Sequence, residues 1–318
     1  MKTQINLTTD PCDLERFGSR GELLTLLGDD GIELTCYGED ERGIIPSERV
    51  TGVHMNCLPY WFDFWRGDRA RCLTEFGDAQ TIRDVFGGES PDALLMHYRR
   101  DIRNAERYGA EYLVFHVCDG SIEETFTGRS RHTDAEVIDA AAELLNELFP
   151  DNAEGPWLLL ENLWYAGHRF TDPEMTARLL ERVHYRKTGL MLDTGHLLHT
   201  RIALSTQEEG VRYIHEMLDL HGPLAERIRG VHLHQSLTGE RIAQTQANPP
   251  ELPSGYTERC EQLFHYVFSV DLHRPFTCGS VPNLIERIDP DYLTYELISR
   301  NLEEHRAMLR EQRAVFQR

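Results

Sequence analysis

Short runs of apolar, often β-branched residues alternate along the chain with longer segments in which apolar residues recur every three or four positions. Runs of the first kind predict buried strands and segments of the second kind predict helices. Eight runs have strand character: residues 5–8, 32–37, 50–55, 112–118, 157–162, 189–194, 228–234 and 292–297. Eight alternations without a break in composition predict one α/β domain over residues 1–318, a (β/α)8 or TIM barrel.

The segments between the strands support this prediction. Helical patterns cover residues 91–108, 133–148, 172–184 and 206–221. Thr133 and Glu136 form a capping-box pattern, and Pro173 suits the first turn of a helix. No Gly-rich phosphate loop follows the first strand, so a dinucleotide-binding sheet is disfavoured. Two long polar connections, at about 58–90 and 235–279, are expected to be active-site loops.

Ionisable residues stand at the ends of six of the eight predicted strands. They are His54, His116, Glu161, Asp193, His232 and Glu296. A strand buried on both faces should be apolar, so each of these residues needs a reason to be there. The carboxyl ends of barrel strands are where barrel enzymes keep their chemistry. Mixed imidazole and carboxylate groups favour Zn, Mn or Fe ions over Ca or Mg.

Two close pairs extend this set. Asp193 and His196 flank a tight strand exit, close enough to bind one ion or two neighbouring ions. Asp271 and His273 would share one side of an extended segment, because alternate residues face the same way. A surface turn before Pro275 is the alternative interpretation of that pair. Three further histidines, His168, His199 and His234, are expected to be supporting or exposed residues.

With these residues the chain resembles the xylose-isomerase-like barrel superfamily, which includes sugar isomerases and epimerases and the endonuclease IV type of apurinic-site endonuclease. The resemblance implies that Glu161, Asp193, His232 and Glu296 correspond in order to the single-metal ligands of the epimerases. The nuclease-like members add ligands for three metals, and the counterparts here are His54, His116, His196, Asp271 and His273. The Asp-x-His element is the most discriminating, because single-metal epimerases do not need it.

Composition narrows the choice of partners. The chain has 33 Lys and Arg residues against 53 Asp and Glu, a formal charge of −20 that argues against nucleic acid. No apolar run approaches about 18 residues and the first residues do not resemble a signal peptide, so no membrane and a cytoplasmic location are expected. Seven cysteines without a Cys-x-x-Cys pair indicate reduced thiols. Cys36, Cys57 and Cys118 each fall at the end of an apparent strand and are minor candidates for a ligand or nucleophile. The oligomeric state is not indicated.

Three enzyme hypotheses follow. The leading one is a hydrolase with two or three divalent ions that acts on a small phosphoester or phosphorylated sugar, with Glu161 bridging two ions and Glu161 or Glu296 as base. The second is a single-metal sugar isomerase or epimerase, in which Glu161 and Glu296 exchange a proton with carbon and aromatic residues at 60–65 stack on the sugar. The third is a multi-iron enzyme that activates oxygen. A barrel that only binds a ligand is disfavoured by the number of ionisable groups at one mouth.

Overall fold

Eight parallel strands close into a barrel in the computed structural model, which describes residues 1–152 and 154–317. The strands are β1 (Lys2–Thr8), β2 (Gly31–Thr35), β3 (Val50–His54), β4 (Tyr112–His116), β5 (Trp157–Glu161), β6 (Thr188–Asp193), β7 (Ile228–His232) and β8 (Tyr292–Tyr295). Each strand pairs in parallel with its neighbours in chain order, and β1 closes the barrel against β8. The predicted single-domain TIM barrel is therefore confirmed, with all eight strands in place.

Helices surround the barrel between successive strands. In the described part of the chain the α-helices span Pro11–Phe17, Arg20–Leu27, Phe62–Trp65, Arg69–Phe76, Ala79–Phe86, Pro91–Tyr108, Ile122–Thr127, Asp134–Leu148, Pro173–Arg182, Thr194–His199, Gln207–His221, Gly239–Ala247, Tyr256–Val270, Val281–Ile288 and Leu302–Val315, and 3-10 turns span Ser47–Arg49 and Gly222–Arg227. The capping box of Thr133 and Glu136 is formed, and Pro173 occupies the first turn of its helix as predicted.

The two long connections are largely helical, which corrects the expectation of loops. Three helices lie within 58–90 and two lie within 235–279. Some of the polar residues that suggested a loop lie at the ends of these helices. Asp68 and Asp78 accept hydrogen bonds from backbone N–H groups of the first turns, while Gly77 and Gly87 end the same helices with positive φ.

The aromatic residues of the first connection belong to the hydrophobic core. Tyr60, Trp61, Phe62 and Phe64 are buried, and the Phe64 ring stacks on that of Phe86 at 3.8 Å between centroids. The idea that these rings form a sugar-stacking platform is therefore wrong, because their faces pack against other side chains.

A short antiparallel ribbon joins Cys118–Asp119 to Ala166–Gly167, just beyond the ends of β4 and β5. This ribbon shapes the rim of the barrel at its carboxyl end. Among residues 1–152 and 154–317, no helix combines the length and apolar character needed to cross a membrane.

Candidate metal centre

The nine residues singled out in the sequence come together at the carboxyl end of the barrel. His54, His116, Glu161, Asp193 and His232 are the last residues of β3 to β7. Glu296 directly follows β8, and the remaining three residues lie on the segments after β6 and β7. Parallel pairing places successive strand ends side by side, so side chains far apart in the sequence meet within one cluster. That these residues bind metal remains a prediction.

Glu161 lies at the centre of the cluster and is fully buried. Its Oε2 is 3.1 Å from Nε2 of both His54 and His116. Its Oε1 is 3.2 Å from Nδ1 of His196 and 3.3 Å from Nδ1 of His232. One carboxylate therefore faces imidazoles on two sides, an arrangement that suits a bridge between two ions.

A second group forms around His232. Its Nδ1 is 3.3 Å from Glu161, 3.6 Å from Asp193 Oδ2 and 3.4 Å from Glu296 Oε2. Its Nε2 lies 2.9 Å from Oε1 of Glu33 on the opposite side of the ring. One carboxylate thus lies close behind the imidazole, while Nδ1 faces three others.

Glu33 is a residue that the sequence analysis did not single out. It is buried in β2, and its Oε2 accepts hydrogen bonds from the hydroxyls of Tyr112, at 2.6 Å, and Thr294, at 3.0 Å. A carboxylate behind a metal-binding histidine fixes the orientation of the ring and makes it more basic. The available signal was a charged residue within a short apolar strand, away from the strand's end.

A third group consists of His196, Asp271 and His273. Asp271 Oδ2 lies 3.0 Å from His273 Nε2 and 3.5 Å from His196 Nε2. The Ser236 hydroxyl accepts from the backbone N–H of His273 and donates to Asp271 Oδ1 at 3.2 Å. Both members of the Asp-x-His pair are buried, so the surface-turn alternative is wrong.

The Asp-x-His pair does not lie on an extended segment as expected. Asp271 ends the helix Tyr256–Val270, and His273 has a φ of 45°, which is unfavourable for a residue with a side chain. His273 Nδ1 donates to the Glu296 carbonyl at 3.0 Å and holds the ring in place. Such strain is most often found at functional sites.

His234 was expected to be a supporting or exposed residue, and the structure places it inside the cluster. Its fully buried Nε2 is 2.9 Å from Asp193 Oδ2 and 3.5 Å from Glu296 Oε2. Its ring stacks on that of His273 at 3.7 Å. His234 therefore touches both the second and the third group. The signal in the sequence was its position two residues after His232, on the same side of the chain.

The other two minor histidines lie outside the cluster. His168 is buried, and its Nε2 is hydrogen-bonded to the Thr176 hydroxyl at 3.2 Å. His199 is also buried, one helical turn beyond His196. The hydrogen-bonded setting of His168 is that of a structural residue.

Of the three strand-end cysteines, two lie near the cluster. A hydrogen bond with Cys118 lowers the pKa of the Cys57 thiol, and the neighbouring His116 lowers this pKa further. The Cys118 thiol, hydrogen-bonded to Cys57 and buried, has a raised pKa. Burial raises the pKa of Cys36 to about 12, which leaves it unreactive. A role for Cys57 beside His116 remains a minor prediction.

Buried polar atoms without partners test whether the cluster suits metal ions. In the described residues, Glu161 Oε1, His232 Nδ1, Glu296 Oε2 and His234 Nδ1 form no hydrogen bond of regular geometry, although the first three atoms approach oppositely charged neighbours within the cluster. Buried polar atoms are normally satisfied, so a group of unsatisfied ones marks a site for something else. Nitrogen and oxygen donors of these types are ligands of zinc, manganese and iron, and the cluster therefore fits such ions.

The charges in the cluster stabilise one another. Burial alone would raise the pKa of Glu161, but His116 and His232 lower it well below its usual range. Burial alone would lower the pKa of His116 and His273, but Glu161 raises the first to about 10 and Asp271 raises the second to about 9. Without metal, these imidazoles keep protons that a bound ion would replace.

A cavity of about 480 Å³ opens at the mouth of the cluster. His54, His116, Asp271 and Glu296 reach this cavity, and Arg16 lies on its wall. The Nη1 of Arg16 donates to the Ser299 carbonyl at 2.5 Å, while its Nε has no partner among the described residues. Nη2 of Arg16 lies 3.1 Å from Asp13 Oδ1, so the cavity joins the cluster to an arginine–aspartate ion pair.

The closed barrel, with imidazoles and carboxylates converging at its carboxyl end, places the protein in the class of TIM barrels that carry a candidate metal site. Residues 86–316 match the family model described as xylose isomerase-like TIM barrel, and the chain belongs to that family. This confirms the family resemblance seen in the sequence. None of the curated proteins matches the chain.

Solved structures give a similar result. A D-tagatose 3-epimerase-like protein is 15% identical, with a TM-score of 0.53 and coverage of 100% of this chain and 97% of the other. The IOLI protein with a bound zinc atom is 12% identical, with a TM-score of 0.51 and coverage of 99% and 96%. These two likenesses show the fold. Endonuclease IV from Thermus thermophilus is 18% identical, with a TM-score of 0.46 and coverage of 100% and 99%.

Proposed function

We propose that this protein is a metal-dependent hydrolase of phosphoesters that uses two or three divalent ions. The observation that carries the proposal is the position of Glu161, whose two oxygens face separate imidazole groups on opposite sides. The separate third group around Asp271 is a further support, because a single ion has no need of it. An epimerase needs one ion beside its substrate, whereas phosphoester hydrolysis benefits from several.

Three adjacent sets of residues would hold the ions. The first set is His54, His116 and Glu161, the second is Glu161, Asp193, His232 and Glu296, and the third is His196, His234, Asp271 and His273. Bound ions of this kind supply positive charge to phosphoester oxygens and make a water molecule more acidic. Zinc, manganese and iron all fit the donor types.

The chain's own residues would bind and orient the ester. Arg16 and Asp13 both line the cavity, with Nη2 of Arg16 3.1 Å from Asp13 Oδ1, and the guanidinium would exchange part of this ion pair for a phosphoester oxygen when the ester binds. Glu296 lines the cavity and its side chain is 13% exposed, whereas Glu161 is fully buried. Of the two predicted bases, Glu296 is therefore the one placed to take a proton from the attacking water, and Glu161 would act as the bridge.

The test is metal content per chain, measured by elemental analysis of the wild type and of the double variant Asp271→Ala and His273→Ala. We expect two or three ions in the wild type and at least one fewer in the variant. The matched control is Glu261→Ala with His265→Ala, which removes one carboxylate and one imidazole from an exposed helix face. The control should keep the wild-type metal content. One ion in the wild type, unchanged in the variant, would overturn the proposal.

The second candidate is a single-metal sugar isomerase or epimerase. The observation in its favour is that the group around His232 is complete by itself, since three carboxylates lie within 3.6 Å of one nitrogen. In that case the Asp271 and His273 variant would keep most of its activity toward a ketose. If the purified protein contains iron and shows a visible absorption band in air, the multi-iron enzyme that activates oxygen is indicated instead.

A further inference from the structure

A second cavity, of about 560 Å³, lies on the same face of the barrel as the candidate metal centre. Its walls come from the segments that follow β4, β5, β6 and β7, and they include Thr125, Trp164, His199 and Gln246. This volume is in the range of small-molecule sites. None of the metal-centre residues needs this space, so the proposed chemistry leaves its role unassigned.

The two cavities are neighbours. Val270 lines the second cavity, and the next residue, Asp271, lines the cavity at the metal centre. The Trp164 ring lies in the second cavity with its centroid 5.1 Å from the ring of His196 and 4.7 Å from that of His199. A molecule whose reacting group sits at the metal centre would therefore extend naturally toward Trp164.

His199 presents a buried atom without a partner. Its Nε2 donates to the Val270 carbonyl at 3.2 Å, while Nδ1 has no hydrogen-bond partner in the described part of the chain. Burial lowers the pKa of His199 to about 4, so the ring is neutral and Nδ1 is an acceptor. A buried acceptor in a cavity wall calls for a ligand that donates a hydrogen bond.

The two arginines on the cavity wall are already paired with carboxylates. Arg169 pairs with Asp134 at 3.2 Å, and Arg201 pairs with Glu216 at 2.5 Å. The carboxylate of Glu124 accepts from the backbone N–H of Ser121 at 2.7 Å. An anionic ligand would find no free positive charge among these groups and would meet the Glu124 carboxylate, so the cavity suits a group without negative charge, such as a neutral polar ring.

We propose that this cavity binds the organic part of the substrate, a neutral ring-bearing group such as a nucleoside or glycoside that stacks on Trp164 and donates a hydrogen bond to His199. The assignment of this group to a phosphoester substrate rests on the proposed function. The binding of the group itself does not, because the cavity is separate from the metal centre. Aromatic side chains beside a polar acceptor are the usual means of holding such rings.

The binding experiment uses calorimetric titration of the whole protein, with and without metal. The probes are thymidine, methyl riboside and thymine, which separate recognition of the sugar from recognition of the heterocycle. The variant Gln246→Trp would fill the cavity from an exposed helix position, and His199→Leu would remove the acceptor. The control is Gln244→Trp, which lies on the same helix outside the cavity wall. We expect the first two variants to weaken binding about tenfold or more and the control to bind normally.

A kinetic experiment links the cavity to the reaction. Thymidine 5′-(p-nitrophenyl phosphate) and methyl p-nitrophenyl phosphate are matched diesters with and without the ring-bearing group. The first should have the higher kcat/KM, and Gln246→Trp should remove that preference while Gln244→Trp preserves it. If none of the three probes binds, or if both cavity variants bind them as the wild type does, the inference is overturned. Binding that depends on Gln246 without hydrolysis of either ester would support the cavity and overturn the hydrolase.

Discussion

Gly195 offers a sharp test of how His234 is held in the cluster. Gly195 is the second residue of the helix Thr194–His199, where alanine would ordinarily be favoured. A Cβ atom added there would lie 2.0 Å from Cε1 and 2.4 Å from Nδ1 of His234. The ring cannot retreat easily, because it is fully buried, stacks on His273 at 3.7 Å and contacts Asp193 at 2.9 Å.

The magnitude follows from two opposing effects. Replacing a helical glycine by alanine contributes about 0.5–1 kcal/mol of stability. Forcing an extra methyl group into a packed site costs about 1–3 kcal/mol. A separation of 2.0 Å is far inside van der Waals contact and places the cost toward the upper end of this range, about 2–3 kcal/mol, so Gly195→Ala should lower the free energy of unfolding by about 1–2.5 kcal/mol. Displacement of His234 should also lower metal uptake, because the ring touches two ligand groups.

Urea unfolding of the wild type and Gly195→Ala, each in the presence of a chelator, measures the change in stability without metal. The matched control is Gly21→Ala in the helix Arg20–Leu27, where the nearest atom to an added Cβ is 4.0 Å away. This control should gain about 0.5–1 kcal/mol. If Gly195→Ala is as stable as the wild type, the clash argument fails and His234 is not fixed where the structure places it.

Two further predictions concern protons and ring orientation. In the metal-free protein, the raised pKa values of His273, about 9, and His116, about 10, contribute stability that is fully present below the unfolded pKa of about 6.5 and is lost as pH rises through these values. The loss should be on the order of 3 kcal/mol for His273. The measurement is the free energy of unfolding in urea at pH 6.5 and at pH 9.5, with a chelator present. Equal values at the two pH values would contradict the prediction. Glu33→Gln should weaken metal binding about 10–100-fold without unfolding the protein, because glutamine can still accept the Tyr112 hydroxyl but holds His232 less firmly. Competition with a coloured chelator measures this, and an unchanged affinity would refute the role of Glu33.

Local sequence determined the architecture and the positions of most chemistry-bearing residues. Strand and helix periods depend on neighbouring residues, so the eight strands and the capping box at Thr133 could be predicted directly. The ionisable residues at strand ends could be identified because a charge has no favourable place inside an apolar strand. Barrel closure then brought them to one end, since parallel strands share a direction.

Tertiary structure decided what depends on contacts between distant segments. Glu33 and His234 join the cluster through packing across the barrel, which neither a charge inside a short strand nor the spacing from His232 establishes by itself. The Asp271 and His273 pair converges through a turn with a φ of 45° at His273, not through an extended segment. The aromatic residues at 60–65 entered the core because helices, rather than loops, fold over them. Sequence periodicity records which face of an element is apolar, whereas the partner of that face is chosen only when the whole chain packs.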